Sequence, residues 1–164
     1  MDESQLRPNR QVRSALVLDG RINVVFLSNK EETSRMKLRP HHLLCTQSYK
    51  GMGYNDEFVK NMTAITSHLR YDDNAVIDIV FSTDDICTKC PMMLGEDLCQ
   101  SNEKVKRFDK KVATFFGIEQ RSYNYKDIIQ KINAQMTSEI MDDICSECNW
   151  YETSDCRKII LGAD

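Results

Sequence analysis

Six of the seven cysteines in this 164-residue chain fall into two groups of one pattern. Cys87, Cys90 and Cys99 lie in DDICTKCPMMLGEDLC, and Cys145, Cys148 and Cys156 in DDICSECNWYETSDC. Each string runs Asp-Asp-Ile-Cys, two residues, Cys, and a third Cys after eight or seven more, a recurrence hard to ascribe to chance. Two residues between cysteines allow a tight turn that aims both sulfurs at one metal centre, with nearby amide N–H groups facing the thiolates. A metal binds the thiolate, and its positive charge stabilises that form against protonation. The chemistry expected of the six grouped cysteines is therefore metal ligation.

The ligand count narrows the choice of metal. Zinc takes four tetrahedral ligands, but the two CxxC pairs are separated by 54 intervening residues, far beyond zinc-ribbon spacing, and their union would strand Cys99 and Cys156. A cubane cluster also takes four protein ligands, so each group is one short. Cys45 is the first candidate to complete a set, although between Leu44 and Thr46 it also reads as a small core residue. With two centres, His41 or His42 supplies an eighth ligand. Because adjacent residues on a helix face different ways, at most one of the two is expected to coordinate. His68 reads as a surface or boundary residue. A thioredoxin-type dithiol is a poor fit, because no strand-to-helix setting surrounds either CxxC and a third cysteine accompanies each.

The residues around the cysteines have simpler roles. Pro91 follows Cys90 as proline follows a cluster cysteine in bacterial ferredoxins, though at a different position of the group. Met92, Met93, Leu94, Trp150 and Tyr151 suit an apolar shell, with ordinary core as the plainer reading. Asp84-Asp85 and Asp142-Asp143 are expected to cap backbone N–H groups, and no residue is assigned catalysis.

The elements that position these residues are mostly helices. Asp19-Gly20 between apolar residues 15–18 and 22–27 predicts a β-hairpin. Residues 28–39 are polar and charged and read as a linker or an alternative start region, with Met36 opening the next segment. Pro40 starts a short helix through Cys45 toward Tyr49, ended by Gly51 and Gly53. Asn55 or Asp56 caps a second helix with the stripe Phe58, Met62, Ile65 and Leu69. Residues 76–81 form a buried strand leading to Cys87. Ser101 caps a third helix with the stripe Val105, Phe108, Val112 and Phe115, stopped by Gly117. A fourth carries Tyr125, Ile128, Ile132 and Met136. The fold class is mainly α with a minor β component: residues 1–35 an N-terminal extension, residues 36–164 a domain built around the metal.

Composition bounds the function. Hydrophobic residues make 41% and charged residues 29% of the chain, as in a globular protein. A net charge of -3 argues against a binder that neutralises many phosphates, and Lys104, Lys106, Arg107, Lys110 and Lys111 read as the wet face of a helix. No apolar run is long enough for a membrane span or signal-peptide core. Seven cysteines without a secretory signal point to a reducing cytoplasm and away from disulfides.

The strings MKLRPHHLLC, GMGYNDEFVKNM, DDICTKCP and CSECNW, with Cys156, resemble the family known as domain of unknown function 1284, short bacterial and archaeal proteins commonly described as iron-sulfur binders. The resemblance runs over residues 36–161 and includes the order and spacing of all seven cysteines. It implies an iron-sulfur cofactor and leaves the reaction open. The reading is an iron-sulfur protein with one or two clusters, 4Fe-4S favoured, in a non-enzymatic electron-transfer or redox role beside a partner protein. The alternatives are an enzyme with a three-cysteine cluster and an open iron near His41 or His42, and a structural zinc module.

Overall fold

The structure, a computed structural model, describes residues 16–18, 21–23 and 35–162. The chain divides into two units, Met1–Ser34 and Arg35–Asp164. In the first, β1 (Leu16–Leu18) pairs antiparallel with β2 (Arg21–Asn23), Val17 opposite Ile22. The expected hairpin turn at Asp19-Gly20 and strand continuation over residues 24–27 lie outside the described residues.

The second unit runs β3 (Met36–Leu38), α1 (His42–Ser48), α2 (Asp56–Tyr71), β4 (Val76–Ile79), a 3₁₀ turn (Cys87–Lys89), β5 (Met93–Gly95), β6 (Leu98–Cys99), α3 (Asn102–Phe116), β7 (Ser122–Asn124), α4 (Tyr125–Gln135), α5 (Ser138–Cys145) and α6 (Cys156–Leu161). This is the mostly helical α+β fold that the patterning predicts. Among the described residues no helix is long and apolar enough to cross a membrane.

The small mixed sheet has the order β3-β4-β7, with β3 parallel and β7 antiparallel to β4. The linker expected over residues 28–39 is thereby corrected at its end. Leu38 is fully buried opposite Ile79, and Arg39 is 1% exposed. Three residues carry too short an alternation to stand out as a strand, yet Leu38 has an apolar core to enter. The strand expected over residues 76–81 ends at Ile79, and Phe81 is exposed.

Local chemistry sets the helix ends. Asn55 accepts a hydrogen bond from Phe58 N (2.8 Å), Asn124 from Asp127 N (3.2 Å) and Thr137 from Ile140 N (3.3 Å), each satisfying a donor that the first turn leaves open. Gly117, at φ 58°, ends α3 in the left-handed region. Ser101 stands at the start of α3 without a side-chain cap bond. Pro40 lies in the turn before α1, which starts at His42. In α3 the core residue is Phe116, and Phe115 is exposed, because steps of four from Phe108 through Val112 arrive at Phe116. On the basic face, Lys106 pairs with Asp97 (3.0 Å), Arg107 with Glu147 (2.5 Å) and Lys111 with Asp143 (3.1 Å).

One ion pair is buried in the core. Arg39 Nε donates to Asp109 Oδ2 at 2.8 Å, and both side chains are at most 2% exposed. Arg39 Nη2 lies 2.7 Å from the same oxygen but makes no aligned hydrogen bond. Burial alone would raise the Asp109 pKa, but His41 and Arg39 outweigh it and hold the carboxyl below its usual value. Its stabilisation is present above about pH 4 and is lost as pH falls through the lowered folded value. Replacing Asp109 by Asn strands a buried cation, and a loss of about 3–5 kcal/mol is expected in chemical denaturation at neutral pH. The gap to wild type should shrink below about pH 4; a variant as stable as wild type at neutral pH would contradict this.

Candidate metal centre

All seven cysteines are free thiols, and all seven line one cavity of about 260 Å³ together with His41 and His42. The two groups reach it by different routes. In the first, Cys90 N donates to Cys87 O (2.9 Å) and Met93 N to Cys90 O (3.1 Å), closing the expected tight turn. The β5–β6 hairpin then sets Cys99 opposite Met93. In the second, Cys145 ends α5, Cys148 N donates to Cys145 O (2.8 Å), and a further turn brings Cys156 to the start of α6. The recurring string thus builds one kind of CxxC turn and two different returns.

Cys45 lies on a helix that packs beside the second group. Helix α1 packs on α6, and Ser48, one turn after Cys45, has its Oγ 2.9 Å from Cys156 Sγ. Burial pushes the Cys45 thiol well up, and Cys148, Cys145 and Cys156 add to the effect. The Cys145 thiol is pushed up to about 12 by burial and then by Cys148 and Cys156. In the first group burial and then Asp84 push Cys87 up to about 12, and burial pushes up Cys90, with Cys99 adding to it. Such thiols stay protonated near neutral pH and become thiolates when a cation takes the place of their protons.

The spacing of the donors bears on what could sit between them. Among the described residues, the ligand-type atoms that gather in a three within 4.8 Å of one another are those of His42, Asp84 and Cys87. A single tetrahedral ion with bonds of about 2.3 Å would draw its sulfurs to about 3.8 Å of one another. No three of the described cysteine sulfurs are that close to one another.

Two buried carboxylates position the histidines. His42 Nδ1 lies 2.6 Å from Asp84 Oδ2, and His41 Nδ1 lies 2.6 Å from Asp109 Oδ1. An ionised carboxylate only accepts, so each ring carries its proton on Nδ1 and, when neutral, its lone pair on Nε2. Burial, then neighbouring His42, lowers the His41 pKa and favours its neutral form. Asp84 also accepts from Arg39 N (2.7 Å) and Cys87 N (3.0 Å). Its burial acts to raise its pKa, but His42 and these N–H donors bring the value down to about 2. The expectation that adjacent histidines face apart is overturned: the ring centroids are 4.2 Å apart and both rings line the cavity. Each imidazole is drawn in by its own carboxylate, which outweighs the helical rotation between neighbours. His68 is exposed near Asp72, as expected.

The acidic pairs differ. Asp84 and Asp85 do cap backbone N–H groups, Asp85 through Lys37 N (2.8 Å). Asp142 and Asp143 instead lie inside α5, where Asp142 accepts from Tyr151 and Arg157 and Asp143 from Lys111; their own helix already satisfies the N–H groups nearby. Met92, Met93, Trp150 and Tyr151 line the cavity, whereas Leu94 is 60% exposed because its strand turns it outward. Pro91 is exposed.

Residues not singled out in the sequence complete the walls. Ser154 Oγ lies 3.2 Å from Cys156 Sγ, and Trp150 Nε1 donates to Tyr54 OH at 3.2 Å across the cavity rim. Asp109 could have been found, because it stands between Val105 and Val112 on the apolar stripe of α3, where a charge needs a buried partner. Nothing in the sequence marks Arg39 as that partner.

No curated protein and no solved structure matches the chain. Residues 53–154 match a family described as proteins of unknown function, DUF1284. That stretch holds Cys87, Cys90, Cys99, Cys145 and Cys148 and is narrower than the motif resemblance over residues 36–161. On this match across more than half its length, the chain belongs to the DUF1284 family.

Proposed function

We propose that this chain binds an iron-sulfur cluster through Cys45, Cys145, Cys148 and Cys156 and serves as a cytoplasmic redox protein working with a partner protein. The observation that carries the reading is the packing of α1, which carries Cys45, on α6, which starts at Cys156, beside one cavity that all seven cysteines line. Four thiols are the complement a cubane requires. The donor spacing and a cavity several times the roughly 30 Å³ share of one water suit a multi-atom centre better than a single zinc ion. Free thiols throughout suit a reducing compartment.

The residues present fit such a group. The four cysteines would hold it, and the hydroxyls of Ser48 and Ser154 stand within reach of Cys156 Sγ. Buried Met141 and Ile144 give the cavity an apolar wall. A bound cluster of this kind exchanges single electrons, at a potential set by its ligands, their hydrogen bonds and solvent access.

Anaerobically purified full-length protein should show broad visible absorption with iron and acid-labile sulfide in matching amounts. A colourless protein carrying stoichiometric zinc would refute the proposal. Replacing Cys45 by Ser should weaken iron retention at this centre by more than the ~10–100-fold typical of losing a ligand's supporting residue; unchanged iron would remove Cys45 from the ligand set. The Ser48→Ala variant should keep its iron and show a lower reduction potential, since a hydrogen bond to a ligand sulfur favours the reduced state. A potential equal to wild type would mean that the hydroxyl does not act on the centre.

A further inference from the structure

We infer that Cys87, Cys90 and Cys99 form a second iron-sulfur centre whose fourth ligand is His42. This rests on the same reading of the cavity as an iron-sulfur site. The first group brings three thiols to the wall: Cys87 and Cys90 through their shared turn, and Cys99 through the hairpin that sets it opposite Met93. It lacks a fourth donor, and Cys45 lies on α1, which packs on α6 where Cys156 stands.

The candidates around Cys87 are few. Asp84 is close enough, with an oxygen in the three-atom group within 4.8 Å. Its two oxygens, however, already accept from Arg39 N, Cys87 N and His42 Nδ1, so a bond to iron through either oxygen would compete with the donors already on it. Arg39 carries no lone pair for a metal. His41 makes the matching contact with Asp109 of α3 but is not in that group with Cys87. His42 remains: one of its ring nitrogens lies within 4.8 Å of a Cys87 and an Asp84 ligand atom, and its Nδ1–H donates to Asp84.

One carboxylate thus anchors both the imidazole and the backbone of the cysteine turn. A metal-ligating histidine commonly gives its second N–H to a carboxylate, which fixes the ring's tautomer and orientation. On ligation each of the three thiols gives its proton to solvent, whereas His42 binds through the Nε2 lone pair and keeps its Nδ1 proton, which it donates in a hydrogen bond to Asp84. Imidazole replaces a thiolate and its negative charge, so this centre has the higher potential of the two. The two donor sets then use all seven cysteines and one histidine.

The test uses the full-length chain, reconstituted anaerobically with ferrous iron and sulfide. The Cys148→Ser variant should retain about half of the wild-type iron, and after reduction its pulsed electron-spin spectrum should show strong coupling to a directly bound nitrogen. In that background, His42→Cys should keep the iron, abolish the nitrogen coupling and lower the potential, while His41→Ala should leave the coupling in place. His42→Cys retains a ligand, so loss of coupling with iron intact separates ligation from misfolding. Coupling that survives His42→Cys, or vanishes in His41→Ala, would overturn the assignment. So would iron without nitrogen coupling in the Cys148→Ser variant, which means an open iron, or zinc in place of iron. If wild type holds one cluster and Cys148→Ser holds no iron, the second centre alone fails. If wild type holds no iron, the iron-sulfur reading beneath it fails too.

Discussion

Asp84 accepts hydrogen bonds from Arg39 N after β3, His42 Nδ1 at the start of α1 and Cys87 N in the first cysteine turn. Its side chain has no access to water, so each of those donors would go unsatisfied if the carboxylate moved. Asp109 does the same from α3, accepting from Arg39 Nε and the His41 ring. Between them the two carboxylates connect the strand, the first helix, the third helix and the first cysteine turn. An apolar core of Leu38, Ile77, Ile79 and Val112 packs alongside, but apolar contact is non-directional. The buried carboxylates supply the direction, aiming two imidazoles and a cysteine turn at one cavity.

That arrangement carries a cost which a bound cation would offset. Thiols with little solvent around them stay neutral, as the raised values for Cys45, Cys87 and Cys145 indicate. Grouped neutral thiols gain little from one another, and grouped thiolates repel. A positively charged centre turns both penalties into attraction. The hydroxyls of Ser48 and Ser154 beside Cys156, and the Tyr54–Trp150 pair at the rim, then act on how such a centre meets water and solvent protons. On this account the fold is a scaffold for inorganic chemistry, and the helices serve to bring distant cysteines to one place.

Much of the scaffold can be read from side-chain spacing. The stripe Met62, Ile65 and Leu69 and the caps Asn55 and Gly117 depend on local periodicity and local hydrogen bonding, and both are written within a few residues. Local rules also account for the CxxC turns. What they do not reach depends on partners far along the chain. Cys45 joins the C-terminal cysteines because α1 lies on α6, more than a hundred residues later. The β3 strand is too short to announce itself and forms because β4 offers it an edge. Arg39 looks like one more charge in a polar stretch until Asp109 meets it in the core. The histidines converge because separate carboxylates draw them in, and helical rotation taken alone points the other way. The Asp-Asp pairs show the same limit: one string, two surroundings, and different partners for each.

The central claim is that distant sulfurs gather to hold an inorganic iron centre. X-ray absorption at the iron and zinc edges of anaerobically prepared full-length protein tests it most directly. The account predicts an iron edge with a first shell dominated by sulfur and a second shell of neighbouring iron atoms. An iron shell of oxygen and nitrogen alone, or zinc bound by sulfur with no iron present, would contradict it.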